Sequence, residues 1–234
     1  MLEQIDLQNV LILDIETVPQ YAHFDEVPDA MQKLWAAKTQ YQRKDETPEE
    51  FYERAGIWAE FGKIICISVG IFTPGPPVGL RVKSFADHDE AVLLKQFCMM
   101  LKKQPKTLML CAHNGKEFDF PYLCRRMIIN GISIPSQLDM AGKKPWEIVH
   151  LDTMELWKFG DYKSYTSLSL LTEIFNIPTP KDDIDGSQVG HVYWQENALE
   201  RIATYCQKDV IATAQLLRRY RFEELIDEMD IVYV

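Results

Sequence analysis

Val10-Leu11-Ile12-Leu13-Asp14-Ile15-Glu16-Thr17 is an apolar, β-branched run that ends in two carboxylates one residue apart. Residues of this kind favour a buried strand. Strand side chains alternate between faces, so Asp14 and Glu16 point the same way. Two anions side by side on a mostly buried strand repel each other and lose hydration, at a cost of several kcal/mol. A divalent cation held by oxygen ligands is the simplest compensation. A strand that has run out into solvent is the other reading, and the pair alone leaves both open.

Outward from this strand at 10–15, further strands are expected near 63–72 and 80–85. Thr73-Pro74-Gly75-Pro76-Pro77-Val78-Gly79 between those two is a turn. A helix follows at about 88–103, where Ala91, Leu94, Phe97, Cys98 and Leu101 recur at helical spacing. Next come a strand at 107–112 and a helix at 120–130 stopped by Asn130-Gly131. A strand near 148–152, a short helix at 166–175 and a long helix from about 195 to 220 complete the order. Three early strands able to form an antiparallel meander, then alternating helices and strands, predict an α/β fold: a mixed sheet with helices on both faces. Residues 20–60 break the rhythm, with Trp35, Tyr41, Phe51, Tyr52 and Trp58 set among many charges. They read as two helices inserted between the first two strands, a cover for the core in preference to a substrate-side lid. Residues 1–234 read as one domain.

Hydrophobic residues make up 47% of the chain and charged residues 26%, the balance of an ordinary globular protein. No apolar run approaches the roughly 20 residues of a membrane span. Met1-Leu2-Glu3-Gln4-Ile5-Asp6 has neither the basic nor the apolar part of a secretion signal. The 5 cysteines are scattered and form no C-x-x-C, so buried reduced thiols in a cytoplasmic protein are expected, without disulfides or a zinc site. A net charge of −10 weighs against a protein that coats nucleic acid. It leaves room for an enzyme that holds a few nucleotides in a local pocket through metal ions.

Two further acids stand in telling places. Asp119 follows Asn114-Gly115-Lys116-Glu117-Phe118 after a strand, with Pro121 just inside the next helix. By itself that is ordinary capping, although ligands often collect where a strand ends in an α/β sheet. Asp209 lies well inside the last helix, four residues after Tyr205 and on the same face. That face adjoins the apolar stripe of Ile202, Cys206, Thr213 and Leu216. Aspartate is a poor helix former there and has no capping role; a salt bridge to Arg201, Lys208 or Arg218 is the alternative.

Asp14-Ile15-Glu16-Thr17, Asn114-Gly115-Lys116-Glu117-Phe118-Asp119 and Tyr205-Cys206-Gln207-Lys208-Asp209 together resemble the motifs of the DEDD superfamily of 3′–5′ exonucleases. The branch resembled is the tyrosine-bearing one: its histidine counterpart would place His where Thr204 stands. Within it, the chain is similar to stand-alone bacterial proteins that look like the proofreading domain of family B DNA polymerases. The stretches Lys181–Val189 and Glu200–Cys206 share that likeness.

The resemblance implies a ribonuclease H-like fold and hydrolysis of single-stranded nucleic acid from its 3′ end, DNA before RNA. It implies two Mg²⁺ ions, with Mn²⁺ able to substitute. Two metals about 3.5–4 Å apart activate water and stabilise the leaving oxygen. Asp14 would bridge both ions, Glu16 and Asp209 would complete the water-activating site, and Asp119 would reach the second ion mainly through water. Tyr205 would orient the attacking water; with an ordinary pKa of about 10 it is a weak base. Thr17 and Val18 would meet the terminal nucleotide through their backbone, with Asn114 and Phe118 beside the scissile one, although Phe118 reads equally as core. Lys116, Lys163 and Lys181 are candidate guides or plain surface lysines. Asp152 is expected to be structural or a support behind the ligands, not a fifth ligand, and His113 a hydrogen-bonded core histidine in preference to a substrate contact. The rivals are an exoribonuclease of the same superfamily, a non-catalytic scaffold on this fold and a ribonuclease H-type endonuclease. The retained acids and Tyr205 speak against the scaffold, and the Tyr-x-x-x-Asp helix against the endonuclease.

Overall fold

A computed structural model describes residues 2–161, 163–178 and 184–234. Its centre is a mixed sheet of six strands in the order β5-β4-β1-β2-β3-β6. The strands are β1 (Val10–Pro19), β2 (Gly62–Thr73), β3 (Gly79–Ala86), β4 (Met109–Ala112), β5 (Leu151–Asp152) and β6 (Ile231–Tyr233). β1, β2 and β3 form the expected antiparallel meander, while β4 pairs parallel with β1, β5 with β4 and β6 with β3.

Alternation on β1 sorts its side chains into two layers. Leu11, Leu13 and Ile15 join the core shared with α2 (Glu90–Lys102) and α3 (Asp119–Ile129). Val10 and Ile12 face the other way and pack with Val210, Ala214 and Leu217 of α7 (Leu199–Tyr220). Three short helices complete the set: α4 (Thr153–Lys158), α5 (Leu168–Ile174) and α6 (Val189–Trp194). The α/β expectation holds, helices on both faces included. β6, α4 and α6 are additions to the sequence-based order.

Residues 20–60 contain α1 (Asp29–Thr39) and a 3-10 helix, Glu50–Ile57, where a second α-helix was expected. With Phe61 just beyond them, they build a small core around the fully buried Trp35 that includes Phe51 and Tyr52. The five cysteines carry no disulfide. No helix among the described residues is long and apolar enough to cross a membrane.

His150 pins β4 to the segment before β5. Its Nδ1 accepts from the Leu110 N–H at 3.1 Å, and its Nε2 donates to the Gln137 carbonyl at 2.8 Å. These contacts fix the neutral ring, and burial, with lesser pushes from Lys116 and Lys143, lowers its pKa. A group with a depressed folded pKa stabilises fully above its unfolded value, about 6.5 for histidine, and less as pH falls. Below that pH, His150 is expected to make the unfolding free energy, followed through the urea midpoint, fall with decreasing pH at up to about 1.4 kcal/mol per pH unit. His150→Gln should have a flatter profile than the wild type over pH 7.5 to 5; parallel profiles would refute this.

Candidate active site

The face of β1 that meets α7 runs Val10, Ile12, Asp14, Glu16, Val18. Its ends are apolar: Val10 and Ile12 pack under Val210, and Val18 under Val189, Val192 and Ile202. The two carboxylates stand between these clusters, Asp14 half-buried and Glu16 only 8% exposed. α7 comes down directly on them. The Cys206 thiol lies 3.3 Å from Asp14 Oδ2 and 3.5 Å from the Asp14 carbonyl. One turn later a Cβ on Gly70 of β2 would stand 2.8 Å from Val210 Cγ1, so only glycine lets the helix seat this close.

The approach gathers the remaining acids. Burial holds the Asp14 carboxyl well above the usual range, and the charges of Glu16, Asp119 and Asp209 push it further; the Cys206 thiol opposes them. Glu16 is raised by burial, then by Asp209, Cys66 and Asp119. Asp119 is pushed up to about 7 by burial, with Asp152 and Asp209 adding to it and the backbone amides of Asp119 and Ile15 offsetting part. Asp119 is the first residue of α3 and 3% exposed. Four acids from three distant segments therefore share one field.

Tyr205 belongs to the same group. Burial, then Asp209, Glu16 and Asp14, drives its hydroxyl far above the ordinary phenol range, and it hydrogen-bonds Asp209. Tyr205 thus stays a protonated donor. Asp14, Glu16 and Cys206 offer ligand atoms all within 4.8 Å of one another. The carboxylates of Asp14, Glu16, Asp119 and Asp209 fit a hard divalent cation such as Mg²⁺ or Mn²⁺, which would offset the burial and the mutual repulsion that raise Asp14, Glu16 and Asp119.

The loop after β4 closes the site from the other side. Asn114 has a left-handed backbone, φ 63°, which asparagine tolerates better than most residues. Asp152, 1% exposed, holds the loop: its carboxylate accepts from the Asn114 N–H at 2.9 Å and the Lys116 N–H at 3.1 Å. The same carboxylate caps α4 through Met154 and Glu155, so Asp152 is structural, as expected. Asn114 Oδ1 is buried with no hydrogen-bond partner among the described residues. His113 hydrogen-bonds Thr153 and the Thr166 carbonyl. Lys116 pairs with Glu155 at 2.7 Å, and Lys163 is exposed. Lys181, with its neighbours 179–183, lies outside the described residues.

A cleft of about 780 Å³ opens beside Glu16. Thr17 and Phe118 line it, and Phe118 also packs on the main core. Val18 is 0% exposed, is not among the described residues lining the cleft and packs its backbone against Gly56, so it does not face the cleft, contrary to the expectation from sequence. Across the cleft stand Arg54 and Ile57 of the insert's 3-10 helix and His191 and Trp194 of α6. The insert is therefore a wall of this cleft as well as a small core. Arg54 and Trp194 carry no spacing signal, because only the folded insert and α6 bring them to Glu16. Cys206 reads in sequence as part of an apolar stripe, and its contact with Asp14 appears only when helix meets strand.

Fold and site define an α/β protein with an acid cluster at the centre of a mixed sheet. Residues 57–231 match the family described as "Predicted 3'-5' exonuclease related to the exonuclease domain of PolB", and the chain belongs to that family. The match begins after β1, so Asp14 and Glu16 lie ahead of it. A DNA polymerase of Pyrococcus glycovorans is 22% identical over 144 residues, 56% of this chain and 18% of the polymerase. One of Pyrococcus horikoshii is 24% identical over 143 residues, 56% of this chain and 11% of the polymerase. The chain thus spans less than a fifth of these relatives. The solved family B DNA polymerase of the hyperthermophilic archaeon Pyrobaculum calidifontis shares the fold, with a TM-score of 0.51 at 17% identity over 89% of this chain and 24% of that one.

Proposed function

We propose that the protein is a divalent-cation-dependent 3′–5′ exonuclease of the tyrosine-bearing DEDD type, acting on single-stranded ends, DNA in preference to RNA. The observation that carries this reading is the seating of α7 on β1, which brings ligand atoms of Asp14, Glu16 and Cys206 within 4.8 Å of one another, in a buried setting where Asp119 and Asp209 also act on the Asp14 carboxyl and Tyr205 hydrogen-bonds Asp209. A scaffold has no use for so costly an arrangement. Family membership supports the activity, and polymerase relatives favour DNA.

Asp14, Glu16, Asp119 and Asp209 would hold the cations, which when bound supply an activated water and neutralise phosphate charge. The chain's own residues do the positioning. The Cys206 thiol fixes the Asp14 carboxylate. Tyr205, kept protonated by burial and then by its acidic neighbours, donates and orients without accepting the proton of the attacking water. Asn114 Oδ1 is an acceptor free to meet a donor on the substrate.

The test offers 5′-labelled single-stranded DNA and RNA with Mg²⁺, Mn²⁺ or chelator. The expected product is a ladder shortening from the 3′ end, absent with chelator and stronger for DNA. Saturating Mn²⁺ should also stabilise the protein, by about 2.7 kcal/mol at a hundredfold excess over Kd. Intact substrate under every condition and an unmoved melting temperature would end the proposal.

A further inference from the structure

The cleft beside Glu16 poses an electrostatic problem. The chain carries a net charge of −10, and Glu16 and Glu53 are among the residues lining this cleft, yet a polyanion must enter it. Among the described lining residues, Arg54 is the only one with a permanent positive charge. Its guanidinium lies 5.1 Å from the centroid of the Phe51 ring, and Phe51 is only 3% exposed. The cation therefore rests on a rigid aromatic seat. No carboxylate among the described residues forms an ion pair with it. Guanidinium is planar, weakly hydrated and forked, the side chain best matched to phosphate oxygens.

The rest of the cleft suits the same ligand. Ile57, 56% exposed, Trp194 and Phe118 offer flat or apolar surface to bases without reading their edges. Trp194 is held by its Nε1–H to the Pro19 carbonyl at 3.2 Å. Lys63 lies 4.7 Å from the Trp194 ring and 4.8 Å from that of Tyr193, which locks α6 against the sheet. A volume of about 780 Å³ falls among cavities that enclose one small molecule, enough for a short unpaired segment.

We propose that Arg54, on the wall that the insert gives this cleft, binds a substrate phosphate other than the scissile one. The inference rests on the exonuclease reading and adds a role for the insert. Arg54 precedes the family match at residue 57, so nothing in that match assigns it.

Steady-state cleavage of a single-stranded oligothymidylate is compared with that of thymidine 5′-phosphate p-nitrophenyl ester, whose only phosphate is the scissile one. Arg54→Gln is expected to raise KM for the oligonucleotide about tenfold, the value of one charge-assisted phosphate contact, with kcat little changed. Its loss on the ester should be smaller, and Arg54→Lys should recover part of the oligonucleotide defect. Arg54→Gln should also flatten the dependence of log kcat/KM on log salt by about 0.7. Equal KM and equal salt slope for Arg54→Gln and wild type, with the wild type active on both substrates, overturn the Arg54 assignment alone. A wild type that hydrolyses neither overturns the exonuclease reading, and this inference with it.

Discussion

Asp14→Ala should lose at least about 10³-fold in hydrolysis, the scale of losing several kcal/mol of transition-state charge stabilisation, while its melting temperature in chelator holds or rises. Asp14 is where the other acids converge: Glu16, Asp119 and Asp209 all act on its carboxyl. Without it, the remaining oxygens would no longer suffice to hold the proposed cation. Folding gains from the same loss, because an anion is removed from a buried cluster of like charges. A relief of about 1 kcal/mol corresponds to roughly 2–4 °C at this chain length. Mn²⁺, which should stabilise the wild type, should leave the variant nearly unmoved. The two signs together separate a ligand from a structural residue, whose removal would lower activity and melting temperature in parallel. Full hydrolysis by Asp14→Ala would remove the active-site assignment.

The acids were legible because their residue types conflict with their local setting. Carboxylates on a buried apolar strand, and an aspartate mid-helix beside a buried stripe, are costs that local structure cannot explain. Asp119 was less legible, since its sequence is that of a cap; only its burial near Ile15 sets it apart. The long elements were readable from periodicity, and their ends were not. β1 runs on to Pro19, where a strand ending at 15 was expected. α7 starts at Leu199, after Asn197 turns left-handed at φ 52°. β6, three residues long, exists because β3 offers it a free edge, and so short a run has no periodicity to detect. The cleft wall was invisible for a similar reason. Arg54 in a charge-rich segment resembles any surface arginine until Phe51 and Trp35 fold the insert beneath it.

Arg126→Met is the substitution expected to cost most in stability, about 3–5 kcal/mol, the price of leaving a buried charge alone. Arg126 of α3 and Glu90 of α2 are 4% and 7% exposed as side chains and face each other in a two-point pair. Each has other duties. Arg126 donates to the Ala59 carbonyl at 2.8 Å, and Glu90 accepts from the Ile64 N–H at 2.7 Å and from Asn130 at 2.9 Å. Removing Arg126 therefore strands a carboxylate in the core and frees the chain between the insert and β2. Glu90→Met/Arg126→Met should recover part of the loss, because no charge is then left unpaired, but not all of it, since the Ile64 N–H and Ala59 carbonyl still lack partners. Urea midpoints of the wild type, both single variants and the double variant measure this cycle. A cost below about 1 kcal/mol for Arg126→Met would place the pair among surface-like bridges and refute the argument. Because Ala59 lies just beyond the 3-10 helix that carries Arg54, a stable Arg126 variant should also bind oligonucleotide less tightly, through a loosened cleft wall.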